Sequence, residues 1–512
     1  MNSKTVLVLL LPFAFFSSVH SQVWIRTYGH PGFGVQDMAF ALTLDPAGNV
    51  IVAGYVRISH GSDTTPNYCT IKYDPDGNLQ WVRFFDYGVG LAVAADSNGN
   101  VLVTGKKVTI KYRPDGDVAW VRTYGGWGSD VCADREGNVY VTGYIRDSLN
   151  PIETYAITVK YTGSGDVAWV RVDSAGWWTV SIGLDTAGNV YVAGDDRGPS
   201  YLVMKYSPAG DLLWRRGENL PGYAYKLAVT PEGDVYVTGS LGRASNDVIA
   251  TTKYSSDGEQ QWVRLYDGPG YDIGQTLTID RDGNCYVAGP SGVRPGLVPG
   301  FDFVTIKYSS AGDELWMQRY TGFGGDDWPF AIGVDAERNV YVGGWSQAPR
   351  GGDTWGDDYT LLKYDSLGKL LWEARYSGPD NFAGWIYSLA IDNQGYIYTT
   401  GFILTGTRTN YDYDWCTVKF APTGPGVAET PISNLNQLQF TLYPNPAHQS
   451  FSISAPVAIQ SIRLYDIAGK LVRVYNHIES NNKLSLAGVP AGVYLVKIQT
   501  QDNRTTQKLI VR

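Results

Sequence analysis

The chain has 512 residues, a formal net charge of −9 and 13% aromatic residues, a length that fits one large domain and one small one. Residues 422–512 carry eight basic and four acidic side chains, so the acidic excess lies before them. An acidic surface argues against nucleic-acid binding, which requires clustered Lys and Arg.

The first 21 residues have the pattern of a secretory signal peptide. Lys4 supplies the positive charge, Val6–Phe16 the apolar stretch, and Ser21 a small residue before a cleavage point at Gln22. The apolar stretch is too short to span a bilayer, and no later segment has the length of a transmembrane helix. We therefore expect residues 1–21 to be a signal peptide and the remaining chain to lack a transmembrane segment.

Residues 22–421 contain eight copies of one pattern: a segment close to D-x-x-G-N-V-Y-V-A-G, then T-I-K-Y, then W-V-R. The closing glycine recurs at Gly54, Gly105, Gly143, Gly194, Gly239, Gly289, Gly344 and Gly401, and the tryptophan from Trp24 and Trp81 through to Trp372. A period of about 50 residues with four short strands each is typical of propeller blades. We predict an all-β, eight-bladed β-propeller, with seven blades as the alternative if the short repeat around Gly105 is degenerate.

The repeat is offset at its two ends. The chain enters with a lone W-I-R strand at Trp24–Arg26, and it leaves the array after Thr417–Phe420 with no tryptophan strand following. Open sheet edges leave backbone donors and acceptors unpaired. The offset therefore predicts that Val23–Thr27 pairs with Cys416–Phe420 and closes the ring.

Most recurring polar residues have structural interpretations. The D-x-D-G-N segments, such as Asp74–Asn78, predict tight turns, since they lack the later glutamate of a calcium loop. The lysines of T-I-K-Y would bury their stems and pair their head groups. The aspartates before an aromatic residue, Asp302, Asp358 and Asp414, would be buried and would form a hydrogen bond with a neighbouring turn. The four cysteines would be small buried residues without disulfides; they are Cys69, Cys132, Cys285 and Cys416.

The chain changes composition after the last repeat. Residues 422–434 are rich in proline and read as a linker. Short alternating strands follow, which predict a small Ig-like β-sandwich over residues 435–512; they are Gln439–Tyr443, Phe451–Ser454, Ser461–Tyr465, Leu471–Tyr475, Tyr494–Thr500 and Gln507–Val511.

The C-terminal segment resembles the sorting domain of type IX (Por) secretion cargo. The resemblance rests on L-Y-P-N-P, Y-D-I-A-G-K-L, A-G-V-Y-L-V-K-I and a final K-L-I-V-R, and the signal residues are Tyr443, Pro444, Asn445, Pro446, Asp466, Gly469, Lys470, Gly492, Tyr494, Lys508 and Arg512. The resemblance implies the type IX machinery as a partner, and a secreted protein or one on the outer surface of a Gram-negative bacterium. The propeller repeats resemble a β-propeller repeat family without assigned chemistry.

A ligand-binding face follows from the connections between strands. The first-to-second and third-to-fourth turns are short and uniform, whereas the other two connections vary and lie together on the opposite face, where binding usually evolves. Aromatic and acidic residues there suit glycans, with peptides as the next candidate; the alternative is that the aromatics only cap the blades. The candidate residues are Trp127, Trp177, Trp178, Tyr271, Asp272, Phe323, Asp327, Trp328 and Trp385.

Enzyme hypotheses find weaker support in the sequence. Quinoprotein dehydrogenases are also eight-bladed with a recurring tryptophan, but their adjacent cysteine pair is absent here. A polysaccharide hydrolase or lyase that uses two acids such as Asp272 or Asp327 stays open. We expect a monomeric, non-catalytic binding module without cofactor or metal.

Overall fold

The computed structural model describes residues 22–29, 36–60, 63–86, 88–146, 150, 153–173, 176–196, 201–217, 222–243, 246–292, 300–351, 354–378, 382–407, 410–423, 441–443, 447–454, 459–466, 471–478, 483–499 and 504–511. The chain divides into two compact units, Met1–Gly426 and Val427–Arg512. The predicted signal peptide and most of the predicted linker lie outside the described residues. Within the described ranges no helix is long and apolar enough to cross a membrane.

The described part of the first unit contains thirty strands in seven antiparallel sheets. The first half of the chain supplies β1 (Gln22–Tyr28), β2 (Met38–Leu44), β3 (Val50–His60), β4 (Asp63–Tyr73), β5 (Leu79–Phe85), β6 (Gly90–Ala95), β7 (Val101–Tyr112), β8 (Val118–Ala133), β9 (Val139–Arg146), β10 (Thr154–Tyr161), β11 (Val167–Asp173), β12 (Gly176–Leu184), β13 (Val190–Asp196), β14 (Tyr201–Tyr206) and β15 (Leu212–Gly217). The second half supplies β16 (Gly222–Val229), β17 (Val235–Arg243), β18 (Asn246–Tyr254), β19 (Gln260–Tyr266), β20 (Thr276–Ile279), β21 (Cys285–Gly292), β22 (Phe301–Tyr308), β23 (Glu314–Tyr320), β24 (Asp327–Val334), β25 (Val340–Gly351), β26 (Thr354–Tyr364), β27 (Leu370–Tyr376), β28 (Gly384–Ile391), β29 (Ile397–Thr407) and β30 (Asn410–Phe420).

Six of these sheets have four strands, and β6–β11 form one sheet of six. The larger sheet contains two repeats, because β7 and β8 each combine two strand segments that are separate elsewhere. In β7 the hydroxyls of Thr104 and Thr109 lie 2.9 Å apart across a turn at Lys106 and Lys107, where Lys107 has a φ of 75°. In β8 the backbone of Trp127 pairs with both Lys106 and Tyr144. The short repeat around Gly105 therefore forms sheet structure without a long loop.

Strand β1 joins the sheet of the last repeat. It pairs antiparallel with β30, with Trp24 opposite Lys419 and Thr27 opposite Cys416, which is the pairing that the offset of the repeats predicts. The first and last sheets also share one apolar core that contains Trp24, Leu42 and Trp415. The N-terminal strand thus takes the place of an outer strand that the last repeat lacks.

The turns and lysines of the repeat have the structural roles predicted for them. Asp45 accepts hydrogen bonds from the backbone of Ala47 and Asn49, at 2.9 Å each, and Gly48 has a φ of 80°, where a side chain would be strained. Lys72 Nζ lies 2.9 Å from Asp45 Oδ2, with both side chains buried. Burial alone would raise the pKa of Asp45, but its bonds from Asn49 and Lys72 hold it below its usual value.

Seven of the recurring tryptophans, from Trp24 to Trp316, donate a hydrogen bond to a turn of the next repeat. Trp24 Nε1 donates to Pro75 O at 3.1 Å, and Arg26 Nε donates to Gly77 O at 2.6 Å. A Cβ on Gly77 would lie 2.7 Å from Trp24 Cδ2, so glycine at this turn lets the indole approach. The same tryptophan–arginine–glycine contact recurs five more times, from Trp81, Arg83 and Gly116 to Trp262, Arg264 and Gly312.

Two expectations for buried side chains need correction. Cys69, Cys285 and Cys416 are buried and free, as predicted, but Cys132 is only partly buried. Asp302 and Asp358 are buried, yet their partners are arginines of their own sheets rather than neighbouring turns. An arginine neutralises a buried carboxylate, which a backbone turn cannot do.

The described residues of the second unit form two sheets that share a core. One contains β31 (Thr441–Tyr443), β32 (Ser450–Ser454) and β35 (Lys483–Ser485), and the other contains β33 (Ile459–Asp466), β34 (Leu471–Ile478), β36 (Gly492–Gln499) and β37 (Arg504–Val511). Phe451 and Ile453 of the first sheet pack with Ile462, Val496 and Leu509 of the second. The six predicted strands are found, and β35 is an addition.

Candidate ligand-binding face

The variable connections meet at one edge of every sheet, because antiparallel strands alternate in direction. We call this edge the variable face. It is formed by the hairpins between the second and third strands of a repeat, such as β25–β26, and by the connections from one repeat to the next. The hairpin β25–β26 is a long example, with Pro349 opposite Trp355 near its tip. The equivalent turn in β7 has only Lys106 and Lys107. Connection length thus varies from repeat to repeat around this face.

Trp127 lies on the variable face but its ring is already in contact with other groups. It stacks on Tyr144 with ring centres 6.4 Å apart and planes 11° apart. Lys106 Nζ lies 5.3 Å from the centre of its ring. Side chains of its own sheet therefore already contact part of the Trp127 ring. The side chains of Trp177 and Trp178, also predicted here, lie outside the described residues.

Trp328 and Trp385 belong to an aromatic cluster. Trp385 stacks on Trp345 at 5.4 Å and on Phe330 at 6.1 Å, and Phe330 in turn stacks on Trp328 at 6.4 Å. The indole nitrogens of Trp328 and Trp345 are buried and have no hydrogen-bond partner within the described part of the chain. The cluster therefore fits the alternative prediction that the aromatic residues cap the blades. It also contains two indole N–H donors, of Trp328 and Trp345, that are unused within the described residues.

A carboxylate fixes the orientation of this cluster. Trp385 Nε1 donates to Asp357 Oδ2 at 2.9 Å, and Gln347 Nε2 donates to Asp357 Oδ1 at 3.3 Å. Burial raises the pKa of Asp357, although both of these bonds favour its charged form. Asp357 was not among the residues predicted from the sequence.

The positions of Asp272 and Asp327 contradict their predicted role as ligand-facing acids, because both side chains are fully buried. They lie at equivalent positions, each opposite a serine, Ser291 and Ser346. Asp272 Oδ2 accepts from Gly268 N at 2.6 Å, whereas neither oxygen of Asp327 has a hydrogen-bond partner among the described residues. A ligand on the surface cannot reach either carboxyl group in this conformation.

Burial dominates the titration of these two acids. It raises the pKa of Asp327 to about 7, although the nearby Ser346 hydroxyl and Arg375 guanidinium favour the charged form. Burial likewise raises the pKa of Asp272. A carboxyl group buried without a full set of partners is held neutral rather than charged. Asp327 is therefore a buried acid that ionises less readily than a free carboxyl group, and not a surface charge.

Beneath the variable face, two neighbouring repeats carry the same arginine network. Arg319 donates to Ser291 Oγ at 2.6 Å, Asp302 Oδ2 at 2.8 Å and the Tyr266 hydroxyl at 2.9 Å. The second network is Arg375 with Ser346 Oγ, with Asp358 Oδ2 at 3.0 Å and with the Tyr320 hydroxyl at 2.6 Å. Each tyrosine belongs to the preceding repeat, so each network ties two repeats together.

A one-residue shift in the sequence creates these networks. Six repeats place arginine two residues after the tryptophan, whereas Trp316 and Trp372 are followed by arginine at the third residue. Successive side chains of a strand point to opposite faces, so the shifted arginine leaves the tryptophan and reaches the buried aspartate. Sequence reasoning missed this, although W-M-Q-R and W-E-A-R differ visibly from W-V-R.

The loops over these networks require glycine. A Cβ on Gly322 would lie 2.5 Å from Ser346 Oγ and 2.9 Å from Asp327 Oδ1, and one on Gly268 would lie 2.6 Å from Ser291 Oγ. Gly322 also has a positive φ of 43°. The backbone of each loop therefore rests directly on the polar network, which fixes the residues that follow it.

The solvent-exposed aromatic residues are concentrated on the variable face. Five aromatic side chains among the described residues are highly exposed, and four of them lie here: Tyr223, Tyr271, Phe323 and Trp355, with exposed fractions of 45%, 41%, 41% and 49%. We call these four the aromatic arc. The fifth, Phe84, lies on the outer strand β5 and is 41% exposed. Tyr271 and Phe323 are predicted site residues, whereas Tyr223 and Trp355 were missed.

Five of the predicted sorting residues lie in strands of the second unit. Asp466 is opposite Tyr494 in the pairing of β33 with β36, and the Tyr494 hydroxyl donates to Pro490 O at 2.7 Å. Gly492 begins β36, and the backbones of Tyr443 and Lys508 lie in β31 and β37. Pro444, Asn445, Pro446, Gly469, Lys470 and Arg512 lie outside the described residues.

Comparison with known families identifies both parts of the chain. Residues 441–512 match the family described as the secretion system C-terminal sorting domain. Residues 261–293 and 315–349 match the family described as the beta-propeller repeat. No curated protein matches the chain.

Solved structures support the fold. The crystal structure of Sqt1 from Chaetomium thermophilum has a TM-score of 0.54 at 9% identity, with 79% of this chain and 99% of that chain covered. The Dos1 propeller has a TM-score of 0.50 at 7% identity, with 78% of this chain and 96% of that chain covered. At such low identity these similarities show the fold alone.

The protein is therefore an all-β protein with a propeller fold. It carries beta-propeller repeats and, at its C-terminal end, a type IX (Por) secretion sorting domain. This domain indicates export by the type IX system, and hence a secreted or cell-surface protein.

Proposed function

We propose that the protein is a non-catalytic binding module of the cell surface or the secreted fraction, and that it binds glycans through the variable face. The observation that carries this proposal is the aromatic arc: four of the five highly exposed aromatic side chains of the described chain lie on one face. Isolated exposed aromatics are ordinary, whereas their concentration on one surface marks an interaction site.

The chemistry of this surface favours sugars. Sugar rings present C–H groups that stack on aromatic faces, and hydroxyls that need acceptors. Phe323 and Trp355 supply faces, while Asp326 and Asp357 supply acceptors beside them. Peptides would use the same surface less well, because a peptide backbone needs an unpaired strand edge or a deep pocket for its side chains.

The scaffold in this proposal is an eight-bladed ring. The six-stranded sheet counts as two blades, the pairing of β1 with β30 completes the last blade, and the second unit is an Ig-like sandwich that serves export. A closed ring holds the connecting loops in fixed relative positions, which lowers the entropy lost when a ligand is bound.

The test is a glycan and peptide array probed with the full chain. Binding to glycan spots supports the proposal, and it should persist after long incubation without release of shortened sugars. Binding confined to peptides would contradict the choice of ligand. The alternative of a polysaccharide hydrolase or lyase predicts soluble products, and their detection by chromatography would overturn the non-catalytic assignment.

A further inference from the structure

The aromatic arc crosses three consecutive sheets. Tyr223 lies at the start of β16, Tyr271 lies in the connection before β20, Phe323 in the connection before β24, and Trp355 in the hairpin β25–β26. The first strands of these sheets pack side by side, with β16 next to β20 and β20 next to β24. The four rings are therefore ordered along the face in the same order as along the chain.

Each half of the arc is tied together by local contacts. Burial raises the pKa of Tyr271, and so does the hydrogen bond that its hydroxyl donates to Asp247 of the preceding sheet. At the other half, a Cβ on Gly325 would lie 3.0 Å from Trp355 Cζ3, so the Trp355 ring lies against the loop that carries Phe323. Phe323 is supported from below by Arg375, whose Cζ lies 4.6 Å from the ring centre.

The carboxylates along the arc are not neutralised by ion pairs among the described residues. Asp247, Asp326 and Asp357 form no ion pair with a lysine or arginine in the described part of the chain, whereas Arg319, Arg350 and Arg375 are paired with buried aspartates. Asp326 accepts one hydrogen bond, from Phe301 N at 3.1 Å, and a carboxylate has capacity for about four. Among the described residues, the arc therefore offers acceptors and negative charge without an ion-paired cation.

We propose that the aromatic arc binds an extended, uncharged polysaccharide, with successive sugar rings stacked along Tyr223, Tyr271, Phe323 and Trp355. This inference rests on the proposed function and adds the class of glycan and its path. One sugar ring can cover one or two of these side chains, so the use of all four requires a chain of sugars. A polyanion such as a polyuronate would face uncompensated carboxylates and be repelled.

The experiment is native gel electrophoresis of the full chain through gels that contain one soluble polymer. Neutral galactomannan, xyloglucan and mixed-linkage glucan are compared with alginate and polygalacturonate. A neutral polymer should retard the protein, and the polyanions should not. Oligosaccharides of the retarding polymer should compete better as they become longer.

Variants in the two halves of the arc locate the path. Tyr223→Ala and Phe323→Ala should each weaken retardation by the neutral polymer about fivefold, and Phe84→Ala, equally exposed on an outer strand, should leave it unchanged. Circular dichroism confirms that the variants are folded.

The outcomes separate this inference from the proposed function. Retardation by a polyanion as strong as by the neutral polymers, or neutral retardation that survives both arc variants, overturns the inference while the protein remains a glycan-binding module. Competition by a monosaccharide as effective as by long oligosaccharides also overturns it, in favour of a single-sugar site. Retardation by no polymer contradicts the proposed function itself.

Discussion

The guanidinium of Arg375 lies 4.6 Å from the centre of the Phe323 ring. Phe323 is 41% exposed, so one face of its ring rests on a cation while the other faces solvent. Arg375 is itself fixed by Asp358 and by the Tyr320 hydroxyl of the preceding repeat. An exposed aromatic side chain of the variable face is thus positioned by a buried network, which reduces the entropy that it loses on binding.

The two arginine networks should differ in their contribution to stability. Arg319→Met leaves Asp302 buried without an ion pair, and removal of one partner of such a pair costs about 3 kcal/mol. Arg375→Met should cost less, because Asp358 keeps its ion pair with Arg350. Urea-induced unfolding of both variants measures the difference. An equal loss, or a larger loss for Arg375→Met, would contradict the account of these contacts.

Asp327 should make stability depend on pH. The pKa of this group rises from 3.8 to about 7 in the folded protein because it is buried. Below pH 3.8 the group is neutral in both states; between there and about pH 7 only the unfolded chain releases its proton, so stability falls as pH rises.

The variant Asp327→Asn isolates this effect, since the amide stays neutral at every pH. The free energy of unfolding of the wild type, minus that of the variant, should decrease between about pH 4 and pH 7, by up to about 4 kcal/mol, and then become constant. Chemical denaturation at a series of pH values measures it. A difference that does not change with pH would show that Asp327 is not held neutral.

The sequence predicted the repeat architecture well because the repeat is dictated by local chemistry. The turn glycines, the paired lysines such as Lys72, and the contact of Trp24 with Gly77 each follow from residues that recur at fixed spacing. Predicted positions of strands and the pairing of β1 with β30 followed from the same periodicity.

The site was predicted only in part because exposure is a tertiary property. Asp272 and Asp327 appear as acids in variable loops, but the pleat of the strand and a glycine loop above bury them. Trp355 lies in one of the variable connections, and nothing in its local sequence distinguishes it from the stacked Trp345. The shift of Arg319 and Arg375 was visible in the sequence, and the alternation of side chains along a strand could have shown its meaning.

Strand β1 should be required for cooperative unfolding. Trp24→Ala removes a buried indole shared by the first and last sheets, and such truncations cost about 3–5 kcal/mol. Deletion of residues 22–28 should lower stability further and broaden the thermal transition. Val23→Ala is the control, because Val23 is 51% exposed on the same strand. If the deletion left the transition unchanged, β1 would not be part of the cooperative structure.

The second unit should be needed for export and not for folding of the first. Truncation after Pro431 removes the residues matched to the sorting domain. In the native host the truncated protein should be folded and retained inside the outer membrane, while the full chain reaches the surface or the medium. Cell fractionation with a protease-accessibility assay measures this. Normal amounts of truncated protein outside the cell would contradict the sorting role.

The most direct test of the central claim compares two equally simple changes of exposed aromatic residues. Titration calorimetry measures the affinity of the wild type, Trp355→Ala and Phe84→Ala for the glycan that the array identifies. Trp355→Ala should lose about 1 kcal/mol in binding free energy, and Phe84→Ala should lose none. Equal affinities for all three proteins would contradict the assignment of the variable face as the glycan-binding surface.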